Sequence, residues 1–127
     1  MMKTHVLLVD DDIDEMKTFL EALKTIIPPC KCTYAPNGIH ALKMLLYLRP
    51  EVIFVDYEMP LMDGLELIEK LKAIDEIKQV PVFLYSSNIS PAVKAKAEQL
   101  GVAGYLEKPA CIHRLTEEFR ITFAKTG

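Results

Sequence analysis

Val52-Ile53-Phe54-Val55-Asp56 is an unbroken apolar run closed by an acid, and Val6-Leu7-Leu8-Val9 followed by Asp10-Asp11-Asp12 repeats the design near the N-terminus. A strand buried on one face alternates apolar and polar residues. A run without alternation is buried on both faces, as in a parallel sheet covered by helices on each side. Ligands of such sheets bind outside the carboxyl ends of the strands, where strand order reverses. The acids that close these two runs, with Lys108 at the end of a third, mark the edge on which chemistry is expected.

Outward from these runs the chain alternates strand and helix patterns five times, with strands near 5–10, 30–35, 51–56, 81–86 and 102–107. That alternation predicts an α/β fold of βαβ units, a doubly wound parallel sheet in one domain. Met16, Phe19, Leu20, Leu23, Ile26 and Ile27 form the apolar stripe of a first helix, opened by an Asp12-x-x-Glu15 capping box and ended by Pro28-Pro29. A second helix over about 37–48 is expected to bury Leu42, Leu45 and Leu46, and a third from Gly64 to bury Leu65, Ile68 and Leu71. Ser90-Pro91 is an N-cap followed by proline, opening a fourth helix that stops at Gly101. The fifth follows Pro109, with Ile112, Leu115, Phe119 and Phe123 inward.

Composition narrows the function. The 127 residues are 50% hydrophobic and 26% charged, enough for one core that buries roughly two-thirds of the unfolded surface. No apolar block approaches the ~18 residues of a membrane span, and no signal segment precedes the first strand, so a cytoplasmic protein is expected. The net charge is −3 and the 15 Lys and Arg are scattered, which gives no footprint for direct nucleic-acid binding. Cys30, Cys32 and Cys111 are an odd count and are expected as free thiols. His5, His40 and His113 match no zinc spacing.

Two unit charges about 4 Å apart repel by on the order of 4 kcal/mol at an effective dielectric near 20. Asp10, Asp11 and Asp56 on one edge therefore call for positive charge. Mg²⁺, which takes one or two carboxylates with waters and phosphate oxygens, suits them, and Lys108 adds an ammonium.

The acidic pair after the first strand, Val55-Asp56 with Met59-Pro60-Leu61-Met62-Asp63-Gly64 behind it, Ser86 after the fourth strand, and Gly104-Tyr105-Leu106-Glu107-Lys108-Pro109 together resemble the CheY-like receiver domain of two-component response regulators. The match runs in order over essentially the whole chain. It implies a (βα)5 flavodoxin-like fold with strand order 2-1-3-4-5, and residues 1–127 as a single receiver with no output domain. It implies Asp56 as phosphoacceptor, a carboxylate nucleophile that takes a phosphoryl group from a sensor histidine kinase or phosphotransfer protein. Asp10, Asp11, Asp56 and the carbonyl of Glu58 become the Mg²⁺ set, and Ser86 and Lys108 the contacts to phosphoryl oxygens.

By the same resemblance Ser86 and Tyr105 are the switch pair, Glu58 and Asn88 stand where dephosphorylation is tuned, and the Lys108–Pro109 peptide is expected to be cis. The output would be a changed surface offered to an unidentified downstream protein target. The chain would assist its own phosphorylation and dephosphorylation without being an enzyme on other substrates. Two other classes use similar sheets: a Mg²⁺-dependent Asp-x-Asp phosphatase, and a flavin binder. Glu58 breaks the first pattern, and the acidic loop after the first strand suits no flavin phosphate.

Overall fold

In the computed structural model, which describes residues 4–26, 30–108 and 112–126, strands β1 (Thr4–Val9), β2 (Cys30–Ala35), β3 (Val52–Val55), β4 (Val82–Ser86) and β5 (Gly104–Glu107) alternate with helices α1 (Asp14–Ile26), α2 (Gly38–Met44), α3 (Gly64–Lys72), α4 (Pro91–Gln99) and α5 (Ile112–Thr126). The strands form one parallel sheet in the order β2-β1-β3-β4-β5, as the resemblance implied. The chain leaves β1 to one side and returns on the other, so the order reverses between β1 and β3.

Successive strand residues face opposite layers, and both layers are apolar. Leu7, Val9, Ile53, Val55 and Leu84 pack under α2, α3 and α4 with Ala41, Leu67, Ile68, Leu71 and Ala97. Val6, Leu8, Phe54, Phe83, Tyr85 and Leu106 pack under α1 and α5 with Phe19, Leu23, Leu115 and Phe119. Phe54 lies at the centre of that second layer, its ring 5.0 Å from Phe19 and 5.6 Å from Phe119. Such aromatic pairs add about 0.5–1.5 kcal/mol each beyond their buried area.

Local signals set the helix starts. The Asp63 carboxylate accepts the Glu66 N–H at 2.9 Å ahead of α3, and the Ser90 hydroxyl accepts the Val93 N–H at 3.2 Å ahead of α4. Asn37 caps α2 in the same way through the His40 N–H at 2.8 Å. Gly101, with φ of 85°, stops the run after α4 as expected.

Three expectations need correction. The capping box before α1 is half formed: Asp12 accepts the Asp14 N–H at 3.0 Å, but its own N–H donates to Asp10 Oδ1 at 3.0 Å rather than to Glu15. The second helix is shorter than 37–48. It ends at Met44, and in the turn that follows i−3 bonds of the Leu46 N–H to Lys43 O at 3.2 Å and the Tyr47 N–H to Met44 O at 3.0 Å mix with an i−4 bond of the Leu48 N–H to Met44 O at 2.9 Å. Leu46 shares a helical face with exposed Ile39 and Lys43 and not with buried Ala41 and Leu45, so it is 70% exposed and not core. Of the strands, β2 matches its expected span, β1 is shifted one residue toward the N-terminus, β4 is one residue shorter, and β3 and β5 are each two residues shorter, although the Ala103 N–H still donates to Val82 O at 2.8 Å. The Pro28-Pro29 stop, Cys111 and the Lys108–Pro109 peptide lie outside the described residues, as do the side chains of Ile112 and Phe123.

Candidate functional site

Register brings the acids together. Val9 pairs with Val55 across β1 and β3, so Asp10 and Asp56 leave neighbouring strands side by side. Ladder bonds continue past the strand ends: the Asp56 N–H donates to Val9 O at 2.9 Å, and the Asp10 N–H to Ala35 O at 3.0 Å. On the far side Ser86 pairs with Glu107, and the Lys108 N–H donates to Ser86 O at 2.9 Å. Each functional side chain thus hangs from a backbone fixed by the sheet.

Asp10, Asp56 and Ser86 are the buried polar or charged side chains among the described residues, at 0%, 5% and 4% exposure. Carboxylate oxygens of Asp10, Asp11 and Asp56 lie within 4.8 Å of one another. The Lys108 Nζ stands 2.7 Å from Asp10 Oδ2 and 3.2 Å from Asp56 Oδ2, and 5.6 Å from the ring centroid of Tyr85. Burial alone would lower the Lys108 pKa; the two carboxylates outweigh it and hold the ammonium above its ordinary value. Burial pushes Asp10 up to about 6, against the opposing pull of Lys108 and the Asp12 N–H.

Two cavities open above these groups. One, of about 360 Å³, is lined by Asp11, Glu58, Ser86, Asn88 and Lys108 among others, with Asp56 in its wall. A second, of about 460 Å³, shares Asp11 and Glu58 with it and is lined further by Tyr57, Met59 and Asp63. The donor set fits a hard divalent cation. Three carboxylates supply oxygens, and buried Asp10 Oδ2 touches the ammonium without receiving an aligned hydrogen bond, which leaves lone pairs for a metal. This acidic group could hold a metal ion.

Gly64 makes the site possible from behind. A Cβ at this position would lie 2.3 Å from Asp56 O and 2.9 Å from Tyr57 Cα, backbone atoms that cannot step aside. The Gly64 N–H also donates to Tyr57 O at 2.8 Å, closing the loop from Asp56 to α3. Gly64→Ala is expected to destabilise the protein by about 2–4 kcal/mol in urea unfolding, because the overlap is with backbone and not with a movable side chain. An unchanged midpoint would show that the loop has another route.

In the same loop Leu61 holds φ of 73° and is 78% exposed. A left-handed leucine is strained by about 1–2 kcal/mol, and glycine gives back part of the relief through its freer unfolded chain. Leu61→Gly is therefore expected to raise stability by about 0.5–1 kcal/mol, read as a higher denaturant midpoint at constant slope.

Of the residues singled out from the sequence, Asp10, Asp11, Asp56, Glu58, Ser86 and Lys108 converge on this edge. Tyr105 does not. Its hydroxyl donates to Glu98 of α4, and Lys94 lies 5.7 Å from its ring centroid, so the ring stands outward against α4. Sequence reasoning missed Tyr85, whose ring lies beside the Lys108 ammonium. Its one signal was a phenol in a strand otherwise free of polar groups before Ser86.

The response regulator receiver domain family model matches residues 6–120. The two-component response regulator ARR17 of Arabidopsis thaliana is 36% identical over 117 residues, 83% of this chain and 75% of that protein. The chemotaxis protein CheY-3 of Vibrio cholerae is 28% identical, covering 97% of this chain and 95% of its own. The structure of Vibrio cholerae CheY4 superposes with a TM-score of 0.82 at 26% identity, covering 95% of this chain and 99% of that one. Receiver domains of this kind work in two-component phosphorelays with histidine kinases or phosphotransfer proteins, and neither the phosphatase nor the flavin reading accounts for the match. Sheet order, clustered acids and sequence agreement together place the chain in the response regulator receiver domain family.

Proposed function

We propose that Asp56 is the phosphoacceptor of this receiver. The observation that carries the reading is the convergence of two buried carboxylates on one ammonium, 2.7 Å from Asp10 and 3.2 Å from Asp56, with Asp56 and Lys108 lining a cavity together with Ser86 and Glu58. A carboxylate oxygen of Asp56 forms a bond to phosphorus as the P–N bond of a phosphohistidine breaks. The imidazole leaves with the bonding electron pair and is then protonated. Asp10, Asp11, Asp56 and the Glu58 carbonyl would hold Mg²⁺. When bound, the ion would neutralise charge on the phosphoryl oxygens.

Lys108 and Ser86 supply an ammonium and a hydroxyl to the equatorial oxygens, where charge is greatest during transfer. Glu58 and Asn88 border the same space and set how water reaches the product. After transfer, Asp56 carries a larger group with about one more negative charge, and Ser86 moves toward it. Tyr105 then exchanges its bond to Glu98 for an inward position, which changes the face formed by α4, β5 and α5. We read the chain as a single receiver domain over residues 1–127 that assists its own phosphorylation and dephosphorylation in the cytoplasm. A downstream protein reads the altered face.

Acetyl phosphate with Mg²⁺ tests the chemistry without the kinase. Intact mass should show one added phosphoryl group, removable by hydroxylamine as an acyl phosphate is, with the label recovered in the peptide that contains Asp56. A label in the peptide that contains Asp10 and Asp11, or one stable to hydroxylamine, would overturn the assignment.

A further inference from the structure

None of the chain's 18 acids falls between Ala22 and Pro50, a stretch that contributes Lys24, Lys31, His40, Lys43 and Arg49. Lys24 ends α1 in the other layer, and the remaining four belong to β2, α2 and the turn after α2, which carry no acid of their own. The same segment carries exposed apolar side chains: Ile39 is 41%, Leu46 70% and Tyr47 85% exposed. Ile39, Lys43 and Leu46 follow helical spacing, and the tight bonds after Met44 carry the turn on to Tyr47. His40 and Lys43 are exposed beside them. The next acid along the chain, Glu51, is engaged by the His5 N–H.

We propose that this face docks an amphipathic helix of a partner protein, with an apolar stripe flanked by Asp and Glu. The ridge of side chains at i, i+4 and i+7 suits packing against a second helix. Its flank of Lys31, Lys43 and Arg49, to which residues 22–50 add no acid, suits carboxylates on that helix and disfavours basic partners. A second copy meeting this face through a two-fold axis would set cationic flank against cationic flank. A lipid surface is less favoured, because each basic residue contributes only about 1 kcal/mol there. The face lies beside α3, on the edge of the helical layer opposite α4, so it can be occupied whatever the state of Asp56.

The test uses the full chain without Mg²⁺ or phosphodonor, so its outcome is separate from the assignment of Asp56. The probes are a synthetic amphipathic helix with a leucine stripe flanked by glutamates, and its twin with lysines in place of the glutamates. Amide shifts on adding the acidic peptide should centre on residues 38–49. Lys43→Glu should weaken the acidic peptide about fivefold or more and strengthen the lysine twin. Leu46→Ser combined with Tyr47→Ser should weaken both peptides about tenfold. Equal affinity for the two peptides, or shifts centred on other elements, would overturn the proposal. So would binding to vesicles of phosphatidylglycerol and phosphatidylcholine with no peptide binding, or a dimer in sedimentation that Lys43→Glu dissolves.

Discussion

Asp56→Asn is expected to take up phosphoryl groups from acetyl phosphate at least about 100-fold more slowly than the parent, a loss of roughly 3 kcal/mol in barrier height. The amide matches the carboxylate in shape but is no nucleophile, and nothing else at the site replaces it. Asp10 is fully buried and held by the Asp12 N–H and the Lys108 ammonium, while Asp11 projects to solvent. The variant should fold at least as well as the parent, since it removes one of two buried carboxylates that repel each other across a shared cation. A clean separation is therefore available: phosphoryl uptake by intact mass should collapse while the urea midpoint holds or rises. If the variant gained phosphate as fast as the parent, the acceptor would be a different residue.

Lys108→Met should cost about 2–4 kcal/mol of stability in metal-free buffer near pH 8, because it strands two buried carboxylates. The loss should shrink as pH falls. An acid whose folded pKa stands above its unfolded value takes up a proton on folding, so its stabilising contribution is complete below the unfolded pKa and is lost as pH rises through the folded one. For Asp10 in the parent that window runs from its ordinary 3.8 to about 6. Without Lys108 the lowering influence of its close ammonium disappears, so the window extends upward. Stability measured from pH 5 to pH 8 should therefore fall more steeply in the variant, and added Mg²⁺ should recover part of the difference. A constant gap between the two proteins at every pH would contradict the pairing described for Lys108.

Much of this architecture was legible because its causes are local. Apolar runs such as Val6–Val9 and Val52–Val55 have no polar face to expose, so only a sheet covered on both sides accommodates them, and both are buried throughout. The Ser90-Pro91 start of α4 is likewise a property of adjacent residues. The site could be located because Asp10, Asp56, Ser86 and Lys108 stand at strand ends and register does the rest.

What escaped the sequence depends on distant partners. The Asp12 amide is taken by Asp10, whose position is fixed by β1 and not by the helix that Asp12 begins, so the expected box lost its second bond. Leu46 is apolar like its neighbours, but it lies on the helical face of Ile39 and Lys43, which no other element covers among the described residues. The overlap awaiting any side chain at Gly64 arises because α3 folds back on Asp56, which no spacing of letters encodes. Tyr105 takes its outward setting from Glu98 and Lys94, residues of another element.

The place of Tyr85 has a practical consequence. The chain contains no tryptophan and five tyrosines, and of those five only Tyr85 is buried, at 1% exposure, with its ring beside the Lys108 ammonium. The molecule thus carries its own optical gauge: whatever draws Lys108 toward an incoming anion alters the surroundings of one enclosed phenol, and the near-ultraviolet emission of the unlabelled chain registers the event as it happens.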